Sequence, residues 1–112
     1  MPRNELHALC MTTPTVATLT EILTRDPKLA EEKDDSNFGR TPFHCICANS
    51  KITEEMIKVF IEDAPAAASI GDMHGQTPLK ILMGNENVTS ELVAVLTQAS
   101  PPEAAFMYLK TN

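Results

Sequence analysis

GRTPFHCIC, residues 39 to 47, and GQTPLKILM, residues 75 to 83, spell Gly-x-Thr-Pro-apolar twice at a spacing of 36 residues. Such a run marks a helix start. The Thr41 and Thr77 hydroxyls can cap open backbone N–H groups, and Pro42 and Pro78 suit the first helical position, where a missing N–H costs nothing. Two cysteines and a histidine crowd the first copy. Two readings therefore compete, a thiol or metal site and a repeated building block.

Working outward, TPFHCICANSKITEEMIKVFIEDAPAAASI (41–70) aligns with TPLKILMGNENVTSELVAVLTQASPPEAAF (77–106) at a constant offset of 36. An earlier stretch, NELHALCMTTPTVATLTEILTRDPKLAEE, joins them with shifts of 37 to 38, Asn4 taking the cap role. In the first half of each unit the apolar residues are Leu6, Leu9 and Cys10, then Phe43, Ile46 and Cys47, then Leu79, Leu82 and Met83, one face of a helix each. A second helix follows Thr15, Thr53 and Thr89, with apolar faces Leu19, Ile22 and Leu23, then Ile57, Phe60 and Ile61, then Val93 and Leu96. Pro27, Pro65 and Pro101 stop it, since proline cannot continue a helix. A turn-rich excursion then ends in Gly39 or Gly75, where a positive φ is cheap.

Each unit thus reads as helix, turn, helix, excursion. Helices of about nine residues are not stable alone in water, so stacked neighbours must bury their faces. The expected fold is all-α: one domain over 1–112, a helical-repeat solenoid with short hairpin-like fingers between helix pairs. Its units are 4–38, 39–74 and 75–106, with the tail 103–112 as a candidate cap. Unit one presents the polar Thr18, Thr20, Glu21 and Thr24. Unit three crowds Ile81, Leu82, Met83, Val93, Val95 and Leu96 into one segment, too many for one side, which leaves room for self-association through the C-terminal unit.

The chain has 112 residues, 43% apolar and 21% charged, with a formal net charge of −6. That acidity argues against nucleic acid or an anionic membrane as partner, because phosphate binding needs clustered Lys and Arg. No stretch approaches the ~18 apolar residues of a membrane span. Three cysteines without a secretory start suggest reduced thiols and an intracellular, cytoplasmic or nuclear setting.

SNFGRTPFH at 36–44 and DMHGQTPLK at 72–80 resemble the ankyrin repeat family, whose pattern is D-x-x-G-x-T-P-L-H followed by two helices. The period of 36 to 38 exceeds the family's ~33. NSKIT and NENVT stand where the family has Gly-His, and Lys80 replaces the usual histidine. The runner-up is another paired-helix solenoid, of HEAT or TPR type, which explains the Gly-x-Thr-Pro starts less well. The resemblance implies a protein-binding module with no cofactor, in which His44 is a structural hydrogen-bonding residue. It implies that partners touch finger tips and exposed first-helix positions: Asn37, Phe38, Arg40, Cys45 and Asn49 in unit two, and Met73, His74, Gln76, Ile81 and Asn85 in unit three. By residue type, Phe38 and Arg40 are the anchors to expect.

A zinc site would draw on His44, Cys45 and Cys47 with His7 and Cys10. Zinc needs four ligands ~2.0 to 2.3 Å from one point, whereas the repeat puts His7 under His44 and Cys10 under Cys47 on layers ~8 to 10 Å apart. Cys10 and Cys47 also sit on the apolar face, where a thiol acts as a small hydrophobe. His44 and Cys45 are neighbours, and helix neighbours point about 100° apart, so they form no dyad by adjacency. The glycines are scattered and cradle no phosphate. Non-enzymatic binding of a protein partner is the expectation. Two other classes compete: a thiol or metal-binding protein using Cys10, Cys45 and Cys47, and a structural fragment docking on further repeats. EEKDD (31–35) reads as a solvated loop, or else as a surface for a basic partner. Phe38 and Met73 lie at finger tips, either packed on their own hairpins or offered as apolar anchors.

Overall fold

Every expected cap residue begins a helix. Asn4 accepts from Leu6 and His7 N–H to start α1 (Glu5–Cys10), and Thr15 accepts from Thr18 N–H to start α2 (Val16–Arg25). Thr41 and Thr53 open α3 (Pro42–Cys47) and α4 (Glu54–Asp63) in the same way, and Thr77 and Thr89 open α5 (Pro78–Met83) and α6 (Ser90–Thr97). A computed structural model supplies these elements and describes residues 2–98; the expected cap at 103–112 lies outside them. The described residues form an all-helical domain without strands, and none of its helices is long and apolar enough to cross a membrane.

Two details differ from expectation. The first helices have 6 residues rather than nine, because the chain turns off after Cys10, Cys47 and Met83. Pro27 and Pro65 end their helices but also open 3-10 turns, Pro27–Glu31 and Pro65–Ser69. The fixed φ of proline suits the first position of such a turn. The small Ala30, Ala67 and Ala68 are buried there, which lets the turns press close to the helices.

The helices form two rows. α3 packs between α1 and α5, and α4 packs between α2 and α6. Phe43 of α3 and Phe60 of α4 tie the rows together in unit two, stacked with ring centroids 4.7 Å apart and fully buried. Leu6, Leu19, Leu23, Ile46, Ile57, Leu82 and Leu96 fill the rest of the core. Met83 departs from its assigned inward face and is 41% exposed. Its equivalents Cys10 and Cys47 are each covered by the next unit, and no described helix follows to cover Met83.

Hydrogen bonds fix each unit to the next. His7 and His44 each accept a backbone N–H at Nδ1, from Asn4 (3.1 Å) and Thr41 (3.0 Å). Their protons therefore sit on Nε2, which donates to the carbonyls of Arg40 (3.0 Å) and Gln76 (2.6 Å) in the following finger. On the opposite end of the first helices, Asn49 Nδ2 donates back to the carbonyls of Cys10 and Thr12 (2.9 and 3.2 Å), and Asn85 Nδ2 to those of Cys47 and Asn49 (2.9 and 3.0 Å). His44 thus has the structural role that the resemblance implied.

Candidate partner-binding face

Each finger is closed by a buried aspartate. Asp34 N–H donates to Arg40 O at 2.8 Å, and Asp72 N–H to Gln76 O at 2.9 Å. Each carboxylate turns back on its own loop: Asp34 accepts from Ser36 N–H (3.0 Å) and Ser36 Oγ (2.6 Å), Asp72 from the N–H groups of His74 (2.9 Å) and Gln76 (3.0 Å). Asp34, not Ser36, is therefore the partner position of Asp72. The constant offset of 36 fails here because the first finger carries two more residues. EEKDD is accordingly not a uniformly solvated run: Glu31, Lys33 and Asp35 are exposed, but Asp34 is fully buried. Burial alone would raise the Asp34 carboxyl, yet hydrogen bonds from Ser36 and Arg3 outweigh it and hold it down to about 2.

The tip of the first finger is strained. Phe38 (φ 59°) and Gly39 (φ 68°) both occupy the left-handed region, and Arg40 N–H donates back to Asn37 O at 3.1 Å. This is the geometry of a type I′ turn, whose first central position favours Asn, Asp or Gly. A phenylalanine there is a genuine outlier. Gly39 has no such freedom to change, since a Cβ would also meet Met73 N at 3.3 Å. Phe38 is 52% exposed and touches both its own hairpin, through Arg40, and the next one, through His74. Its ring lies 5.8 Å from that of His74 on the second finger, with the Arg40 guanidinium 5.6 Å from its centre, and its carbonyl accepts from Met73 N–H at 2.8 Å. Met73 is 65% exposed. The two finger tips are therefore joined along one edge, on which Phe38 and Met73 are both exposed.

Beneath that edge an open groove of about 440 Å³ runs between the first finger and the C-terminal ends of α1 and α3. Asn37, Arg40, Cys45 and Asn49 line it, four of the five residues expected in unit two. Phe38 stands outside on the tip. In unit three, Met73 and His74 are exposed, whereas Gln76, Ile81 and Asn85 are half-buried.

Several expected contacts are corrected by their surroundings. Cys45 was assigned to an exposed position but is 5% exposed, because the finger folds over α3 and brings Asn37 Nδ2 to 3.8 Å from its sulfur. Asn49 and Asn85 spend their amides as struts between units, and the carbonyl of Gln76 is taken by His44 and Asp72. Ile81 packs against the core. Sequence reasoning missed Arg3 and Asp34, a pair at 2.8 Å, and the exposed Met11 on the groove rim. The Arg3–Asp34 pair was legible only by shifting the register two residues to align the finger aspartates.

The thiols are poor nucleophiles. Burial pushes Cys45 up to about 11, and burial also raises Cys10 and Cys47 well above the ordinary thiol range. Thiolate, not thiol, attacks and ligates. Among the described residues no group of three His, Cys, Asp or Glu side chains is placed to hold a metal ion. Comparison with family models, curated proteins and solved structures finds no match to this chain.

Proposed function

We propose that this chain is a non-enzymatic protein–protein interaction module, an ankyrin-type solenoid of three units, and that its protein partner docks across the finger tips and the groove below them. Repeats of this kind present an extended surface built from successive units. The observation that carries the reading is the groove itself: finger and helix ends from units one and two converge on it, and of the positions that the family resemblance assigns to partner contact, Asn37 and Arg40 reach it while Cys45 and Asn49 only form its wall. The inter-unit bonds of His7, His44, Asn49 and Asn85 support the ankyrin-type part of the proposal, since they hold neighbouring fingers and helices in fixed register. Three protonated, buried thiols and the want of a metal-holding cluster among the described residues leave thiol or metal chemistry with no support.

Affinity capture from cell extract with the intact chain and with Ser50→Trp tests it. Ser50 lines the groove and is exposed, so tryptophan fills the groove without entering the core. A specific partner should be retained by the intact chain and lost from the variant, with both giving the same circular dichroism spectrum. Identical eluates would remove the groove from the function. A partner bound by neither would remove the module reading.

A further inference from the structure

We propose, resting on the reading of the chain as a protein-binding module, that the groove between units one and two receives an acidic peptide segment, with Arg40 and Lys51 taking its carboxylates. Charge is the first reason. The chain has 15 acidic residues and 9 basic ones, yet the groove lining holds two cations, Arg40 and Lys51, and no carboxylate. The groove is a local reversal of the overall sign. An acidic chain with a cationic recess repels a polyanion at long range and attracts a short acidic segment at close range, over roughly the 8 to 10 Å that salt leaves unscreened.

The state of Arg40 is the second reason. Arg3 and Arg40 stand at equivalent places, each one residue before the cap of a first helix, and each faces the aspartate of the next finger. Arg3 Nε bonds Asp34 at 2.8 Å. Arg40 Nε stays 3.8 Å from Asp72, beyond hydrogen-bonding reach, and both Arg40 Nε and Asp72 Oδ2 are buried without a hydrogen-bond partner. The Asp72 carboxylate is already satisfied on its other oxygen by the two N–H groups of its own loop. Arg40 is thus paired with Asp72 by charge alone, without a hydrogen bond, and lies over the face of Phe38, so that among the described residues its guanidinium fork carries no hydrogen bond. A fork of this shape matches a carboxylate with two parallel bonds.

The remaining polar groups agree in sign. Asn37 Nδ2 faces only the Cys45 sulfur at 3.8 Å, a weak acceptor, and keeps donor capacity for an occupant. The rim carbonyls of Cys10 and Thr12 are already taken by Asn49. The groove therefore offers donors and few acceptors. Met11, 42% exposed on the rim, gives an adaptable apolar contact for a side chain flanking the acidic residues. A volume of about 440 Å³ accommodates a few side chains of an extended segment rather than a folded surface.

The test pans a phage-displayed library of random dodecapeptides on the intact chain, on Lys51→Glu and on Ser50→Trp. Lys51 is exposed, so its reversal leaves the fold intact. Peptides selected on the intact chain should be enriched in Asp and Glu over the unselected library. A synthetic selected peptide should bind less tightly as sodium chloride rises, lose roughly ten-fold in affinity to Lys51→Glu, and not bind Ser50→Trp. Selection on Lys51→Glu should shift towards Lys and Arg. Neutral or basic selections on the intact chain, acidic peptides indifferent to both variants, or no enrichment at all would each overturn the proposal, while the capture experiment on folded partners would still decide the module reading. A single-stranded oligothymidylate is the control for a different anion. If it binds with the same dependence on Lys51, the recess is a phosphate site and the peptide assignment falls.

Discussion

Units two and three share the Gly-x-Thr-Pro start and differ in what surrounds it. All six residues of α3 are buried, between α1 on one side and α5 on the other, whereas in α5 only Pro78, Leu79 and Leu82 are. The residues that reach forward differ in step. Unit two carries His44 and Arg40, each directed at the finger of unit three; unit three has Lys80 and Gln76 at those places. A cap and an apolar face specify a helix, but neighbours decide how much of it is buried. Among the described residues, the forward-reaching polar residues occur where a following finger receives them.

The largest expected difference between the two units lies in the core. Phe60 and Leu96 are equivalent and both fully buried, but Phe60 is stacked on Phe43 and enclosed on both sides. Phe60→Ala should cost about 3 to 5 kcal/mol and Leu96→Ala about 2 to 3, because leucine leaves the smaller cavity. Urea unfolding followed by circular dichroism measures both. Equal losses would mean that unit three is as enclosed as unit two.

A smaller difference belongs to the forward-reaching residues. His44→Ala leaves Thr41 N–H without its ring acceptor and Gln76 O without its inter-unit donor, and should cost about 2 to 4 kcal/mol. Lys80→Ala, at the exposed equivalent place, should stay within about 0.5 kcal/mol. The same histidine makes stability depend on pH. Burial lowers its pKa in the folded chain, so the unfolded chain binds the extra proton first. Stability should be full above pH about 6.5, where an unfolded histidine is neutral, and fall as the pH drops below it. The carboxyls of Asp34 and Asp72, both lowered, add a further loss only below about pH 4. In His44→Gln the step near neutrality should shrink while the acid step remains. An unchanged step would assign it elsewhere.

Next in size are the caps. Thr41 is buried and its hydroxyl also meets His44 Nδ1 at 2.9 Å, whereas Thr77 is half-buried and caps Lys80 N–H at 3.5 Å. Thr77→Ala should cost about 1 kcal/mol and Thr41→Ala nearer 2. Thermal melts in which the two match would show that the His44 contact adds nothing.

Much of this was legible in sequence for a physical reason. Caps, prolines and i, i+3, i+4 faces are local signals, and all six helix starts obey them. Contacts between units are not local. That Asp34 is held by Arg3, 31 residues away, rests on a distant part of its own unit, and that Cys45 lies under a finger and Asn49 is a strut follow from what the neighbouring unit places there. A loop two residues longer in one finger hid the first of these. Met83 errs in the opposite direction, because its sequence face is right and the covering layer is missing from the described residues. Of the candidate site, residue positions could be carried over from the family resemblance, but which amides and guanidinium groups remain uncommitted could be read only from their bonds.

The smallest effect separates the two finger tips, and it concerns Phe38. The second finger reaches its turn with a single left-handed residue, Gly75, while the first uses Phe38 and Gly39 in succession. A bulky side chain in that region costs about 1 to 2 kcal/mol. Phe38 recovers part of this through His74 and Arg40, contacts worth about 0.5 to 1 kcal/mol at an exposed site. Phe38→Asn, a residue suited to the turn, should therefore raise stability by about 0.5 kcal/mol, or roughly two to four degrees in melting temperature. If the exposed ring is a partner anchor, the same variant should bind the captured partner less tightly, so stability and binding would move in opposite directions. A lower melting temperature would make Phe38 a packing residue that holds the two fingers together. A higher one with binding unchanged would leave the strain without a function and move the contact surface down into the groove.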